Sequence, residues 1–401
     1  MFELSSRANE MRERLQSFIH DTVEPGEREY FAHIAEPAQR WTQPPVVEEM
    51  KRKARAAGLW NLFLPDSRHG AGLSHLDFAP LAELMGHSPI AAEVCNCSAP
   101  DSGNMELLLL YGNEFQKRQW LDPLLAGEIR SAFAMSEPEV ASSDPTNVHC
   151  RILRDGDSYS ITGRKWWVSG AMDPRCKFFM VLGESDPEAK PFARQSLLIV
   201  PRDAPGVRIV RALQSFGYDD APLGHAEVAF ENVRVPIGNL VYGEGKGLEI
   251  AQGRIGPGRV HQCMRLVGLA ERALKSMVTR AQTRVVFGQP LARHGMAQEA
   301  IALSRCELES ARLLTLSAAW ALDKLGTRGA RERIAMIKVA IPRMACTVID
   351  RALQMHGAQG LTEDSFLARA YAHARALRFY DSPDEVQLMT VARMELERAA
   401  E

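Results

Sequence analysis

The sequence predicts a mainly α protein with a central β domain. An N-terminal helical domain spans 1–130, a small β-barrel or sandwich 131–241 and a C-terminal four-helix bundle 242–401. Two changes of period predict this order. Apolar residues recur at helical spacing to about residue 130, gather in short β-branched runs to about 241, then return to helical spacing. The third observation is punctuation, since Asp155-Gly156 and the turn from Ala204 to Gly206 separate the short runs.

In the first part, VVEEMKRKARAAGLWNLFLP has helical spacing and stops at Gly58. RHGAGLSHLDFAPLAELMGHS is a glycine-rich connection into another helix, and GNMELLLLYGNEFQKRQWLDPLLAGE supplies one or two more. In the second part, SYSITGRKWWVSG, KFFMVLG, QSLLIVP, VRIVRAL and HAEVAFENVRVP read as strands, expected to be antiparallel. Val228, Phe230, Val233 and Val235 alternate with polar residues apart from one break at Glu231 and Asn232.

Three long stripes follow in the third part. Val260, Met264, Val267, Leu274, Met277 and Ala281 share one face of a helix. So do Ile301, Ser304, Leu308, Ala311, Thr315, Ala318 and Leu322, and then Ile334, Ile337, Ala345, Val348, Ala352 and Met355. With a last helix from Pro383 these make four, for which a bundle is the economical packing. Pro342 lies inside the third stripe, where a missing donor predicts a kink or a boundary.

Charge disfavours two classes of partner. Lys plus Arg number 48 against 50 for Asp plus Glu, so no global field favours nucleic acid or anionic lipid. The opening MFELSSRANEMRERLQ has no apolar core, and no apolar window approaches the length of a membrane span, so a cytoplasmic protein is expected. The seven cysteines are odd in number, and their only close pair is Cys95 and Cys97. They read as reduced and mostly buried, with no metal-ligand spacing. No GxGxxG follows a strand, and no Walker loop or GxSxG is present, which disfavours Rossmann, P-loop and α/β-hydrolase enzymes.

The stretch RFYDSPDEVQ concentrates three carboxylates. Ser382, Pro383 and Glu385 read as N-cap, first helical position and capping-box partner, with Asp384 as a first-turn acid that suits the macrodipole. Asp381 lies outside that cap and reads either as a solvated loop residue or as a functional acid. The loop FAMSEPEVASSDPTN sets hydroxyls at Ser136, Ser142 and Ser143 around a proline, which suits an anionic or heteroaromatic ligand and equally an ordinary polar turn. Trp166 and Trp167, followed by Val168 and Ser169, suit core packing or a flat conjugated ring with one hydrogen-bonding edge. QMHGAQG ends a helix with glycines that permit positive φ, and its His356 reads as a packed or satisfied histidine.

Taken together these stretches resemble the acyl-CoA dehydrogenase family of flavoproteins over nearly the whole chain. The family's T-E-P-x-x-G-S loop falls on Ser136 to Ser142, its W-I-T strand on Trp167, Val168 and Ser169, and its R-x-x-F-G segment on Arg284 to Gly288. Its Q-x-x-G-G segment falls on Gln354 to Ala358, and its Y-E-G-T base motif on Tyr380 to Pro383. The SEPEVASSD loop, the KWW strand and the PDE helix start are most similar to the subgroup containing family members ten and eleven, which also carry aspartate at the base position. Four family positions differ: Gly256 replaces an aspartate, Ala141 the last loop glycine, and Pro383 and Glu385 a threonine and a glutamine after the base.

The resemblance implies FAD-dependent α,β-dehydrogenation of an acyl-CoA thioester to a trans-2-enoyl-CoA, with Asp381 as the α-proton base and flavin N5 as hydride acceptor. It implies cofactor contacts from Phe133, Met135, Ser136, Ser142, Trp167, Val168, Ser169, Pro383 and Glu385. A neighbouring subunit would donate Arg284, Phe287, Gln354, Met355, Gly357 and Ala358. Ser142, Arg259, Tyr380 and Ser382 would contact substrate. A homo-oligomer, commonly a dimer of dimers, and an electron-transfer flavoprotein as electron acceptor are further expectations. Two alternatives remain on the same scaffold: a flavin oxidase or monooxygenase of the nitroalkane-oxidase kind, and a non-catalytic binding protein.

Overall fold

The computed structural model describes residues 2–400, the side chains of Arg254 and Ile255 excepted. The chain divides into two compact units. One comprises Met1–Pro25, Gly72–Ala92 and Gly256–Glu401, and the other Gly26–Ala71 and Glu93–Ile255. Among the described residues no helix is long and apolar enough to cross a membrane.

The second unit carries the sheet. Its strands are β1 (Arg130–Ala134), β2 (Arg151–Asp155), β3 (Ser158–Ser169), β4 (Cys176–Glu184), β5 (Gln195–Pro201), β6 (Val207–Leu213) and β7 (His225–Pro236). They are ordered β1-β4-β2-β3-β7-β6, with β5 paired to β4. The expected Asp155-Gly156 turn closes the β2–β3 hairpin with Asp155 opposite Ser158, and Gly156 has φ 58°. The sheet is mixed rather than purely antiparallel, because β1 runs parallel to β4 with Ala132 opposite Phe179. β4 is the reason. From Phe178 to Leu182 it is completely buried, the continuous apolar run of a strand covered on both faces. The helix Pro45–Ala56 in this unit ends where expected, with Gly58 at φ 66° just past its last turn.

The first unit is helical. Its first long stripe is buried from Val260 to Ala281, and so are Ser304, Leu308, Ala311, Thr315, Ala318 and Leu322 in the second. The helix His75–Met85 crosses the long helix at two glycines. A methyl on Gly268 would lie 1.9 Å from the Glu83 carbonyl oxygen, and one on Gly86 2.0 Å from that of Arg265, so neither position has room for a side chain.

The bundle departs from expectation twice. The helical run Gly295–His356 passes straight through Pro342, and its one non-helical residue is Gly326, at φ 67° and ψ 179°. The break therefore falls between the second and third stripes, where a glycine reaches positive φ at little cost, while proline's fixed φ is itself helical. A further short helix, Leu367–Ala376, precedes the last one, Asp384–Ala399, so the bundle has more than four segments. The short helix has little apolar periodicity because Ala370, Ala372, Ala374 and Ala376 bury small surfaces. All seven cysteines are free; five are buried, while Cys306 is exposed and Cys346 half-buried.

Candidate active site

Residues expected at a site fall into two groups, one in each unit. In the sheet-bearing unit the serine loop is held from below by a buried ion pair. Lys165 Nζ lies 2.7 Å from Glu137 Oε1 and donates to the Met135 carbonyl at 2.8 Å. The Glu137 carboxylate also accepts from the N–H groups of His149 and Cys150, at 2.8 and 2.9 Å. Every oxygen of this buried carboxylate is thus occupied, and the start of the loop is fixed to β3, since Trp166 N–H also donates to the Ser136 carbonyl. Ser142 builds the loop itself, because its Oγ accepts from Glu137 N–H at 2.8 Å and donates to the Glu137 carbonyl at 3.2 Å. Ser136, Phe133 and Met135 are half-buried beside it, the last two at and just past the end of β1.

Trp167 is aimed by a β-bulge. Lys165 pairs with Val228 and Val168 with Ala226, so β3 takes three steps against two, and the extra residue puts Trp167 at φ 50°. Its ring is half-exposed, while Val168 beside it is fully buried and offers a ligand only its main chain. Ser169, two residues on, shares its Oγ with His225 Nδ1 at 2.9 Å, and His225 Nε2 lies 3.0 Å from Asp220 Oδ2. A flat ring face and a hydroxyl thus stand side by side at a strand end, a donor set that fits the isoalloxazine of FAD.

In the helical unit the acidic stretch is not the cap that the sequence suggests. Pro383, not Ser382, occupies the N-cap, and no side chain caps the helix Asp384–Ala399. Ser382 Oγ instead accepts from Gln387 Nε2 at 2.9 Å, and Glu385 is exposed. The reason is backbone geometry: Asp381 at φ 52° and Ser382 at φ 92° are both left-handed, which turns the Ser382 hydroxyl away from the cap position. Such conformations cost about 1–3 kcal/mol each and persist only where the surroundings impose them.

Four cations brace this turn. Arg259 donates to the Asp381 carbonyl from Nε at 3.0 Å and from Nη2 at 2.6 Å. Lys338, 2% exposed, donates to the Leu377 carbonyl at 2.5 Å. Arg378 closes the turn by accepting Asp384 N–H on its carbonyl at 3.2 Å and bonding the Asp384 carboxylate from Nε at 2.8 Å, where Arg343 also donates at 2.9 Å. Burial lowers the pKa of both Lys338 and Arg259 from their ordinary values, with Asp381 among the groups opposing it. Among the described residues the Asp381 carboxylate itself accepts no hydrogen bond and pairs with no cation, and it is half-buried. Tyr380 is half-buried beside it.

The remaining expected residues lie on the surface. Arg284 is exposed, and Phe287, at φ 48° in the tip of the Val285–Pro290 hairpin, is 99% exposed. Gln354, Gly357 and Ala358 are exposed at the end of the helical run, with Met355 half-buried. His356 is satisfied, Nδ1 against the Ala352 carbonyl at 2.8 Å and Nε2 against Ser276 Oγ at 3.1 Å. Sequence reasoning did not single out Lys165, His225, Asp220 or Lys338. A signal existed for two of them: Lys165 interrupts a strand and Lys338 the apolar run IAMIKVAIP, and a lone cation there has to find a partner.

The family model for the acyl-CoA dehydrogenase N-terminal domain matches residues 5–128, the middle-domain model 132–233 and the C-terminal-domain model 245–396. The probable acyl-CoA dehydrogenase FadE2 of Mycobacterium tuberculosis is 52% identical over 99% of this chain and 97% of its own length. Mouse acyl-CoA dehydrogenase family member 10 is also 52% identical over 98% of this chain, which spans only 37% of that longer protein. A Mycobacterium abscessus protein, solved as a candidate acyl-CoA dehydrogenase, superposes with a TM-score of 0.97 at 50% identity, over 99% of this chain and all of the other.

Proposed function

The chain belongs to the acyl-CoA dehydrogenase family of FAD-dependent oxidoreductases, and from that premise we propose that it dehydrogenates an acyl-CoA thioester to the trans-2-enoyl-CoA, with Asp381 removing the α-proton. The observation that carries this is the unclaimed carboxylate of Asp381 on a left-handed turn whose main chain is clamped by Arg259. An acid held in place by bonds to its backbone keeps both carboxylate oxygens for a ligand.

FAD, when bound, supplies the acceptor for the β-hydride. Trp167 would pack against its ring, Ser169 would meet the N5 edge, and the loop from Ser136 to Ser142 would border it; the Glu137–Lys165 pair underneath supports that reading by making the loop rigid. The weak acidity of an α-proton is met by main-chain N–H groups that stabilise the thioester oxygen as charge builds on it, the Asp381 N–H among them. A carboxylate shielded from water by bound substrate is also a stronger base. Arg259, expected at the substrate's pantetheine or nucleotide arm, also holds the turn that carries Asp381.

The assembly is a homo-oligomer in which Arg284, Phe287 and the Gln354–Ala358 segment complete a neighbour's cofactor site. A phenyl ring left 99% in water on a hairpin tip supports it. Reducing equivalents pass to an electron-transfer flavoprotein. The test is anaerobic titration of the purified yellow protein with acyl-CoAs of increasing length. Bleaching of the flavin band by at least one of them is expected. A flavin that no acyl-CoA bleaches, but that a nitroalkane reduces and air reoxidises, would replace this reading with an oxidase.

A further inference from the structure

Ser169, the last residue of β3, stands in register with His225, the first residue of β7, and their side chains meet at 2.9 Å. His225 is 4% exposed and its ring lies 5.8 Å from that of Trp167. Behind it, Asp220 sits at φ 52° in a turn closed by Gly224 N–H donating to the Asp220 carbonyl at 2.9 Å. Gly170 N–H in turn donates to the Gly224 carbonyl at 2.9 Å, so the segment after Ser169 and the segment before His225 are tied together. The three side chains form a fixed series, carboxylate to imidazole to hydroxyl.

For a neutral imidazole, the direction of that series follows from donor and acceptor counts. An ionised carboxylate only accepts, so Asp220 takes the Nε2–H of His225. The neutral ring then presents Nδ1 as a lone pair, which takes the one hydrogen of the Ser169 hydroxyl. Ser169 is left with lone pairs alone for any ligand. It reads an N–H and has nothing to give to an acceptor.

We propose that His225 and Asp220 are positioning residues that fix Ser169 as a hydrogen-bond acceptor, so that the site favours the reduced cofactor over the oxidised one. This rests on the reading above that Ser169 meets the N5 edge of the ring. That nitrogen is an acceptor in the oxidised cofactor and carries a hydrogen in the two-electron-reduced one, so an acceptor-only hydroxyl stabilises the second. Neither residue touches the substrate; both act through the serine.

The experiment is a midpoint-potential titration of the FAD-loaded protein against a reference dye, in four forms. His225→Leu frees the serine hydrogen for the oxidised ring. The ratio of affinities for reduced and oxidised cofactor should fall about tenfold, which for a two-electron couple is about 30 mV toward lower potential. Asp220→Asn keeps the imidazole packed but removes the negative charge that holds the hydrogen on Nε2; it should shift the potential the same way and covers a His225→Leu protein that does not fold. In Ser169→Ala the Asp220→Asn change should have no further effect. If Ser169→Ala moves the potential and neither His225→Leu nor Asp220→Asn does, the series is structural and the inference falls while the placement of the cofactor stands. If Ser169→Ala leaves both potential and flavin absorbance unchanged, the ring lies elsewhere and the placement falls first.

Discussion

The interior charges of the sheet-bearing unit and those around the Asp381 turn are arranged on opposite plans. In the first, three interior acids meet cations. Glu93 contacts Arg130 and lies 2.5 Å from Lys51, Asp101 contacts Arg130, and Glu137 meets Lys165. Burial works against the charge of Glu93, yet Arg130, Lys51 and Arg175 hold its carboxyl well below the usual range. Asp101, which shares Arg130, is pushed up by burial. Around the base turn, Arg259 and Lys338 are aimed at carbonyl oxygens instead. Asp384, three residues after Asp381, is paired with Arg343 and Arg378. The contrast teaches how an acid is kept available: a cation spent on a peptide oxygen fixes the chain without claiming the carboxylate next to it.

The comparison breaks most visibly at the acid left free. Asp381→Asn should lower kcat by about 10²–10⁴, the usual worth of a positioned base, while the purified protein stays yellow and its melting temperature barely moves. Stopped-flow flavin reduction checks this, and ordinary reduction would show that the turn presents nothing catalytic. A paired acid should behave the other way. Lys165→Met leaves Glu137 buried without its cation and should cost about 3–5 kcal/mol in urea unfolding. Adding Glu137→Gln should recover part of that, since it removes the unpaired charge and its one amide oxygen still accepts from His149 or Cys150 N–H. A single variant as stable as wild type would mean that the pair is not what holds the serine loop.

How much of this the sequence disclosed depends on the range of each interaction. Strands β3 to β7 were legible because alternation and apolar runs are local properties. β1 and β2 were not: β1 is five residues whose pairing partner β4 lies more than forty positions away, and β2 buries only Ile152. The parallel pairing is likewise invisible to any short window. Pro342 drew attention as a helix breaker although Gly326 sits in the gap between two stripes, where a boundary belongs. Asp381 stood out in the sequence by exclusion, as the one acid of three that no cap explained, and its main chain is the one held by Arg259. The cap itself was misread, because positive φ at two non-glycine residues leaves no mark in the sequence and is imposed by Arg259, 122 positions earlier. The Ser169–His225–Asp220 series was missed for the same reason, since its members meet only through the β3–β7 register.

Acid sharpens the comparison further, because carboxylates titrate and carbonyls do not. Glu271 is the clearest case within the helical unit. Arg305 grips both its oxygens at 2.8 Å, and Arg312 adds a third bond at 3.0 Å while also holding Glu83. Burial opposes the charge, but Arg305 and Arg312 outweigh it and bring the Glu271 carboxyl down to about 2 from an ordinary 4.5. A group depressed on folding contributes stability that is fully present above its unfolded value and disappears as pH falls through the folded one. The window therefore runs from about 4.5 down to about 2. The side chains around Glu271 are partly open to solvent, so the contribution is discounted to about 1–2 kcal/mol. Glu271→Gln should lose this much at pH 7 and should unfold along a shallower pH curve, its difference from wild type shrinking as pH drops through the window. The bonds from Arg259 and Lys338 to carbonyl oxygens contain no group that titrates there, so the difference between the two curves isolates the paired carboxylate. A constant difference from pH 7 to pH 2.5 would mean that Glu271 holds its helices by packing rather than by charge.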